Sequence, residues 1–192
     1  MLWSLVGFGY LCGSVPFGVI ITSQFAGKDV RAAGSGNIGA TNVARVAGKK
    51  LGALVLLLDA LKGTLPVLLT LRLAPDVPVL HVSVAMAAFL GHVFPVWLKF
   101  KGGKGVATAL GVLLVLMPWS ALIGFAVWIT IMATLRVSSI GSLLGGLAAI
   151  ISSFFLGVPL VYSALGVTLM VAMIITHRSN IERMIKGTEN KV

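Results

Sequence analysis

The sequence predicts an all-α fold: a polytopic membrane helix bundle of seven transmembrane helices, with the N-terminus outside and the C-terminus cytoplasmic. Of the 192 residues, 58% are hydrophobic and only 10% are charged, and the mean hydropathy is +1.05. A soluble domain of this size cannot bury so much apolar surface. Several apolar runs approach the ~20 residues that a helix needs to cross a bilayer, and the basic residues lie between these runs. We expect a single domain over residues 1–192.

Six apolar runs define the predicted elements. They lie at residues 2–25, 51–71, 77–98, 106–135, 137–156 and 158–176. The fourth run is longer than one span requires. Because proline removes a backbone donor, we expect this run to break near Met117-Pro118 into two helices. Its first piece, Val106 to Leu116, is too short to cross ~30 Å of hydrocarbon alone, so it is predicted to begin below the surface, beside a polar cavity.

The positions of the basic residues decide between six and seven crossings. With seven crossings and an outside N-terminus, every Lys and Arg lies on the cytoplasmic side except Arg72, which is outside, and Lys62, which is within a span. Six crossings would move the basic tail outside, so the positive-inside rule favours seven. This one-sided distribution explains the net charge of +10 without nucleic-acid binding.

The polar segment after the first run has a composition that suits an oxyanion. Three glycines between Gly34 and Gly39 allow a tight turn with outward N–H groups, and hydroxyl and amide side chains add donors. Asn37 is predicted to cap a helix that carries Thr41 and Arg45 on one face. The alternative is a flexible linker with an orientation charge. The candidate binding residues in this segment are Ser35, Gly36, Asn37, Thr41, Asn42 and Arg45.

A second glycine-rich segment, Lys99 to Gly105, directly precedes the apolar helix that begins at Val106. A glycine turn that leads into a helix N-terminus presents backbone N–H groups and the positive end of the helix dipole, which favour phosphate. No Gly-Lys-Ser/Thr closes the segment, so nucleotide hydrolysis is not implied. The alternative is a positive-inside loop with a turn. The candidate binding residues are Gly102, Gly103, Lys104 and Gly105, together with His92 near the inner end of the preceding span.

The basic tail begins with His177, which can bind phosphate or accept a proton near neutral pH. Ser179 and Glu182 fit a capping box, and the apolar and basic positions that follow fit a helix on the membrane surface, which is the alternative interpretation. The candidate residues are His177, Asn180 and Glu182. Ser142 is a further candidate, although packing by small residues explains it equally well.

Two charges lie inside an apolar run. Asp59 and Lys62 are three residues apart and are predicted to pair on one helix face, since an unpaired charge at a helix centre in the bilayer costs about 3 kcal/mol. The sequence has no Cys/His cluster with metal-ligand spacing and no Gly-x-Ser-x-Gly elbow. We therefore predict no metal, no organic cofactor and no serine hydrolase site.

The three polar segments, Gly34 to Arg45, Gly91 to Thr108 and His177 to Thr188, resemble the signature regions of the bacterial acyl-phosphate:glycerol-3-phosphate acyltransferases, the PlsY family. The motifs that carry the resemblance are Ser-Gly-Asn-Ile-Gly-Ala-Thr-Asn, Gly-His-x-Phe-Pro and Phe-Lys-Gly-Gly-Lys-Gly. The resemblance implies transfer of a fatty acyl group from acyl phosphate to the 1-hydroxyl of glycerol 3-phosphate. It also implies a multi-pass protein of the bacterial inner membrane, in contact with membrane lipid and with a cytoplasmic active site.

Because both substrates of such an enzyme carry phosphate, our hypothesis divides the candidate residues between the two. Donor phosphate is assigned to Ser35, Asn37, Thr41 and the turn from Gly102 to Gly105. Glycerol phosphate is assigned to Arg45, Lys104, His177 and Asn180, of which His177, Lys104 and Arg45 are the candidate catalytic residues. The base is either His177 or the phosphate of the substrate. The alternative function, a secondary transporter of a phosphorylated metabolite, would place its polar residues near the bilayer midplane.

Overall fold

The computed structural model describes residues 2–191, and over this range the chain forms helices and no strands. Short 3₁₀ turns lie at Val30–Ala32 and Val96–Leu98. The α-helices are α1 (Ser4–Ser14), α2 (Phe17–Ala26), α3 (Ala40–Ala47), α4 (Lys49–Leu73), α5 (Pro78–Val93), α6 (Val106–Leu116), α7 (Pro118–Thr134), α8 (Ser138–Phe155), α9 (Leu160–Thr176) and α10 (Arg178–Ile185).

Four helical segments within residues 2–191 are long and apolar enough to cross a membrane. They are Ser4–Ala26, which joins α1 and α2, Lys49–Leu73, Pro78–Leu98 and Ser138–Phe155. A fifth arises if α9 and α10 form one span, bent by 61° between them. The remaining apolar helices, α6 and α7, have 11 and 17 residues. The all-α membrane class is therefore confirmed, whereas the number of seven crossings stays a prediction.

Prolines interrupt two of the predicted apolar runs. The break expected near Met117-Pro118 is confirmed, because α6 ends at Leu116 and α7 begins at Pro118. The first run, expected to be continuous, also breaks, since α1 ends at Ser14 and α2 begins after Pro16. Proline has no N–H to donate to the preceding turn, so the helix ladder cannot pass through it unaltered.

The chain divides into two compact units between Val112 and Leu113. In the first unit, α1 packs along α5 and α4, and α3 packs on α4. Glycines allow α1 and α5 to approach closely: a Cβ on Gly13 would overlap the Ala88 backbone, and one on Gly91 would overlap the Tyr10 carbonyl. Close approach through small residues is how helices gain packing energy where lipid is as apolar as the side chains.

The first residues of α6 pack against α4 in the same manner. Gly63 of α4 faces the Thr108 carbonyl, and Gly111 of α6 faces the Ala60 carbonyl. The Thr64 hydroxyl donates to the Gly111 carbonyl oxygen at 3.0 Å. These contacts fix the beginning of α6, and with it the preceding glycine-rich segment, against α4.

In the second unit, α8 packs between α7 and α9. Gly124 of α7 and Gly145 of α8 oppose one another so closely that a Cβ on either would meet the other's carbonyl. Ser153 and Ser163 join α8 to α9 through a buried hydroxyl pair at 3.0 Å. Because α10 follows α9 after the bend, it lies next to the C-terminal end of α9.

The predicted pairing of the two intramembrane charges is confirmed. Lys62 Nζ lies 2.7 Å from Asp59 Oδ1, and both side chains are buried. Lys62 also donates to the carbonyl oxygen of Val15 at 2.8 Å, at the break between α1 and α2. His92 Nδ1 lies 3.7 Å from the same Asp59 oxygen. One buried cluster thus connects α4, α5 and the α1–α2 break.

Removal of one member of this cluster should destabilise the protein strongly. We expect Lys62→Met to cost about 3–5 kcal/mol, because the Asp59 carboxylate would remain buried without its cation. The double variant Asp59→Asn/Lys62→Met should recover part of that loss. Thermal unfolding of the purified protein in detergent measures both. Arg72→Met, at an exposed position on the same helix, is the matched control; equal unfolding temperatures for Lys62→Met and this control would contradict the pairing role.

Candidate active site

Asn42 lies at the centre of the first polar segment and is buried. The two hydrogens of its Nδ2 are shared among the carbonyl oxygens of Val30, Ala33 and Asn37, at 2.9, 3.1 and 2.9 Å from the nitrogen. Its Oδ1 accepts a hydrogen bond from the Ser35 N–H at 2.8 Å. The side chain therefore organises the loop from within, whereas the sequence predicted a contact with substrate.

The backbone of this loop also turns its donors inward. The Gly36 N–H donates to the Ala33 carbonyl at 3.1 Å, and the Gly39 N–H donates to Asn37 Oδ1 at 2.8 Å. The prediction that Asn37 caps α3 is wrong, because Gly39 is the N-cap. Fewer backbone N–H groups than expected therefore face outward, although Ser35 and Gly36 themselves are exposed.

Thr41 and Arg45 lie four residues apart on α3, as predicted for one helix face. Both are half-buried. The adjacent face of the helix packs on α4, where Gly52 faces Ala40 and Ala44 with no space for a Cβ. This close packing on α4 keeps α3 in place, so the Thr41 hydroxyl and the Arg45 guanidinium are carried by a rigid helix.

The second glycine-rich segment lies on the C-terminal end of α5. The Gly102 and Gly103 N–H groups donate to the carbonyl oxygens of Val93 and His92 at 3.0 and 3.1 Å. A Cβ on Gly103 would overlap the His92 ring. Gly105 has φ +82° and lies against the Phe89 ring. The glycines are therefore required for packing, and two N–H groups expected to face an anion are used inside the turn.

Lys104 stands between this turn and the N-terminus of α6 and is half-buried. The helix ladder begins where the Ala109 N–H donates to the Gly105 carbonyl at 2.7 Å. The N–H groups of the first turn have no partner within the helix and form its positive end. A cationic side chain next to a helix N-terminus makes this position electropositive.

His92 lies behind the turn, which differs from its predicted role as a substrate contact. Only 3% of it is exposed, and its neighbours are Asp59 and the backbone of Gly103. The side chain is covered by the segment that it was expected to assist. It can act on a ligand only through the position of that segment.

The first and second segments lie at the same end of the first unit. Leu98, which directly precedes the second segment, packs against a buried apolar cluster. That cluster contains Ile21, Val30, Ile38, Val43 and Val55. Because Val30, Ile38 and Val43 belong to the first segment and to α3, the two segments share one apolar support.

In the second unit, His177 forms the bend between α9 and α10 and is buried. Its Nδ1 lies 2.7 Å from the Met173 carbonyl oxygen. A carbonyl oxygen only accepts, so the proton of this hydrogen bond is on Nδ1, and in the neutral ring Nε2 carries the lone pair. The backbone carbonyl of His177 accepts from the Asn180 N–H at 2.8 Å.

Glu189, in the tail after α10, is bound to residues that the sequence had singled out and to others that it had not. Its Oε1 accepts from Ser139 Oγ at 2.9 Å and from Asn180 Nδ2 at 2.6 Å, and its Oε2 accepts from Arg183 Nε at 2.8 Å. Partial burial raises the pKa of Glu189, but these hydrogen bonds outweigh it and hold the pKa below its usual range. Its charge is thus retained at neutral pH, and the stabilisation is lost only as the pH falls through that lowered value.

Two other predicted residues of this unit, Glu182 and Ser142, lie on α10 and α8. Glu182 is exposed, and the capping box predicted from Ser179 and Glu182 is wrong, because α10 begins at Arg178 with His177 as its N-cap. Ser142 is buried, and its hydroxyl donates to the Ser138 carbonyl one turn earlier at 2.8 Å. The Ser142 hydroxyl is thus used within its own helix, and substrate binding by Glu182 stays a prediction.

Comparisons with known proteins agree with one another. The family model for glycerol-3-phosphate acyltransferase matches residues 3–187. A glycerol-3-phosphate acyltransferase of Myxococcus xanthus (strain DK1622) is 56% identical over 191 residues and is covered over 100% of both chains. Crystal structures of PlsY (YgiH), an integral membrane glycerol 3-phosphate acyltransferase, are 40% identical. The glycerol 3-phosphate form superposes with a TM-score of 0.94, covering 100% of this chain and 95% of that chain. The lysophosphatidic acid form superposes with a TM-score of 0.92, covering 99% and 94%. The chain belongs to the glycerol-3-phosphate acyltransferase family of integral membrane enzymes.

Proposed function

We propose that this acyltransferase takes its acyl group from acyl phosphate and transfers it to the 1-hydroxyl of glycerol 3-phosphate, with lysophosphatidic acid and phosphate as products. The observation that carries the proposal is Lys104, a half-buried cation between a packed glycine turn and the N-terminus of α6. Such a position favours a phosphate dianion. Membership of the family favours this reaction over the transporter hypothesis.

The chemistry requires little beyond positioning and charge stabilisation. The acceptor hydroxyl oxygen attacks the acyl carbonyl carbon, the bond from that carbon to the phosphate oxygen breaks, and the hydroxyl proton passes to a base. Because phosphate is a good leaving group, binding the two substrates in line and stabilising the developing negative charge supply most of the rate.

We assign the donor phosphate to Ser35, Asn37 and Thr41 and to the turn before α6. Since Gly102 and Gly103 use their N–H groups inside the turn, Gly105 and the first residues of α6 are the backbone donors that remain for this role. Arg45 and Lys104 supply full positive charges. Asn42 and His92 support these segments from behind.

We assign glycerol 3-phosphate to Arg45, Lys104, His177 and Asn180. If His177 is the base, the hydrogen bond from its Nδ1 to Met173 makes Nε2 the atom that accepts the proton. The phosphate of the acceptor is the other candidate for this proton. Lipid chains of donor and product are expected to lie along the apolar helices.

We further propose that residues 1–192 form one functional domain with seven crossings, placed in the bacterial inner membrane with the active site on the cytoplasmic side. The basic residues support this orientation through the positive-inside rule. With 17 residues, about 26 Å of helix, α7 and α9 are at the short limit of a spanning helix.

The donor can be identified directly. Purified protein is incubated with labelled glycerol 3-phosphate and with acyl phosphate, acyl-CoA or acyl carrier protein offered separately. Of the three donors, we expect only acyl phosphate to give labelled lysophosphatidic acid. In the same assay, Arg45→Ala and Lys104→Ala should each lower kcat/KM by about 100-fold or more, as loss of a charge-stabilising donor does in other enzymes.

Lys101→Ala is the matched control for these two variants, because Lys101 is exposed and lies in the same segment as Lys104. It should retain wild-type activity. Product formation from acyl-CoA alone would overturn the donor assignment, and full activity of Lys104→Ala or Arg45→Ala would overturn the phosphate assignment.

Asn42 allows a separate test of support against substrate contact. Asn42→Ala removes the four hydrogen bonds of its side chain, and at about 1 kcal/mol each the loss should lower the thermal stability as well as activity. Thr41→Ala, next to it on α3, should lower activity with little change in stability. If Asn42→Ala left the unfolding temperature unchanged and raised only the KM for one of the two substrates, Asn42 would be a substrate contact.

The seven-crossing topology predicts a cytoplasmic tail. Reporter fusions after residue 191 and within the 99–105 segment should both give the cytoplasmic signal, and a fusion at Asp76, between α4 and α5, should give the external one. An external signal from the tail fusion would refute seven crossings and leave an even number.

A further inference from the structure

The tail after α10 turns back over that helix and carries Glu189 into a polar cluster. Gly187 has φ +68° and its N–H donates to the Met184 carbonyl at 3.1 Å; the Thr188 N–H donates to the Arg183 carbonyl at 2.8 Å. A glycine in the left-handed conformation that closes a helix in this way reverses the chain direction. The reversal brings Glu189, two residues later, next to Asn180 and Arg183.

The Glu189 carboxylate connects three parts of the second unit. Only 8% of its side chain is exposed. One oxygen accepts from Ser139, in the first turn of α8, and from Asn180 in α10, while the other accepts from Arg183. Hydrogen bonds to an ionised acceptor are about twice as strong as neutral ones, so this carboxylate ties α10 to the beginning of α8.

The consequence for Asn180 is a fixed side chain. At 2.6 Å from Glu189 Oε1, the Nδ2 of Asn180 has one of its hydrogens committed. The amide plane is then set, and with it the directions of the second Nδ2 hydrogen and of Oδ1. Asn180 is also 5% exposed, so the alternative side-chain orientations are restricted by packing as well.

We propose that Glu189 is a positioning residue for the acceptor site: it holds Asn180, and through α10 the neighbouring His177, in the orientation that binds glycerol 3-phosphate. The inference rests on the proposed assignment of these two residues to the acceptor. Arg183 neutralises the carboxylate, so its charge does not repel the phosphate.

The test compares Glu189→Ala and Glu189→Gln with wild type in the purified enzyme. Glu189→Ala should raise the KM for glycerol 3-phosphate about tenfold or more, the equivalent of losing one to two hydrogen bonds, and change the KM for the acyl donor less than about threefold. Glu189→Gln should restore most of the affinity, because its amide oxygen accepts from Ser139 and Asn180. Asp76→Asn, an exposed carboxylate in the first unit, is the charge-matched control and should behave as wild type.

Three results would overturn the proposal. An unchanged KM in Glu189→Ala would show that the tail does not position the site. A lowered KM would show that the carboxylate competes with substrate. An equal rise in the KM for both substrates would indicate a structural role only.

If Glu189→Ala does not fold, Ser139→Ala provides the test, because it removes a single hydrogen bond to the same oxygen. This variant should raise the KM for glycerol 3-phosphate by a smaller factor, and no rise would overturn the proposal.

Asn180→Ala separates this inference from the assignment on which it rests. Suppose that Asn180→Ala raises the KM for glycerol 3-phosphate while both Glu189 variants have a normal KM. This result would contradict the positioning role of Glu189 but not the assignment of Asn180 to the acceptor. A normal KM in Asn180→Ala would instead sink the assignment of Asn180 to the acceptor.

Discussion

The buried ion pair between Asp59 and Lys62 is the interaction on which the first unit depends. Neither charge is tolerable in an apolar bundle without the other, and their partners extend the constraint in two directions. Lys62 reaches the Val15 carbonyl at the break between α1 and α2, which also accepts from the Phe17 N–H. Asp59 lies next to His92, whose carbonyl oxygen in turn accepts from Gly103. The position of the turn before Lys104 is therefore linked, contact by contact, to a charge pair inside the bundle.

The glycine-rich segments obtain their shape from packing and from side-chain amides. Gly103 and Gly105 lie against the rings of His92 and Phe89, where no other residue fits, and Asn42 holds the first loop through four hydrogen bonds. Most backbone donors of these loops are used internally. Besides the side chains proposed from Ser35 to Thr41, these segments can therefore offer a phosphate the charges of Arg45 and Lys104 and the N-terminus of α6.

Local rules predicted those features of the structure that depend on neighbours in sequence. The Met117-Pro118 break follows from proline chemistry, and the Asp59–Lys62 pair follows from helical spacing. The role of Asn42 was not predictable, because the sequence of a loop rich in polar residues is the same whether one side chain faces inward or outward. Glu189 was missed because its partners become neighbours only after the chain reverses at Gly187. No periodicity marks a carboxylate whose role depends on such a turn.

A common pattern supports the candidate binding groups in both units. His177 donates through Nδ1 to a backbone carbonyl, Asn180 donates to Glu189, and the turn before Lys104 donates to the carbonyls that end α5. In the two side chains, the hydrogen bond fixes the direction of the remaining polar atoms, and in the turn it fixes the backbone that carries Lys104. A phosphate dianion is bound best by donors whose orientation is already set, since the entropy of ordering them is then lost on folding and not on binding. An acyl transfer that relies on positioning needs this arrangement more than it needs a strong base.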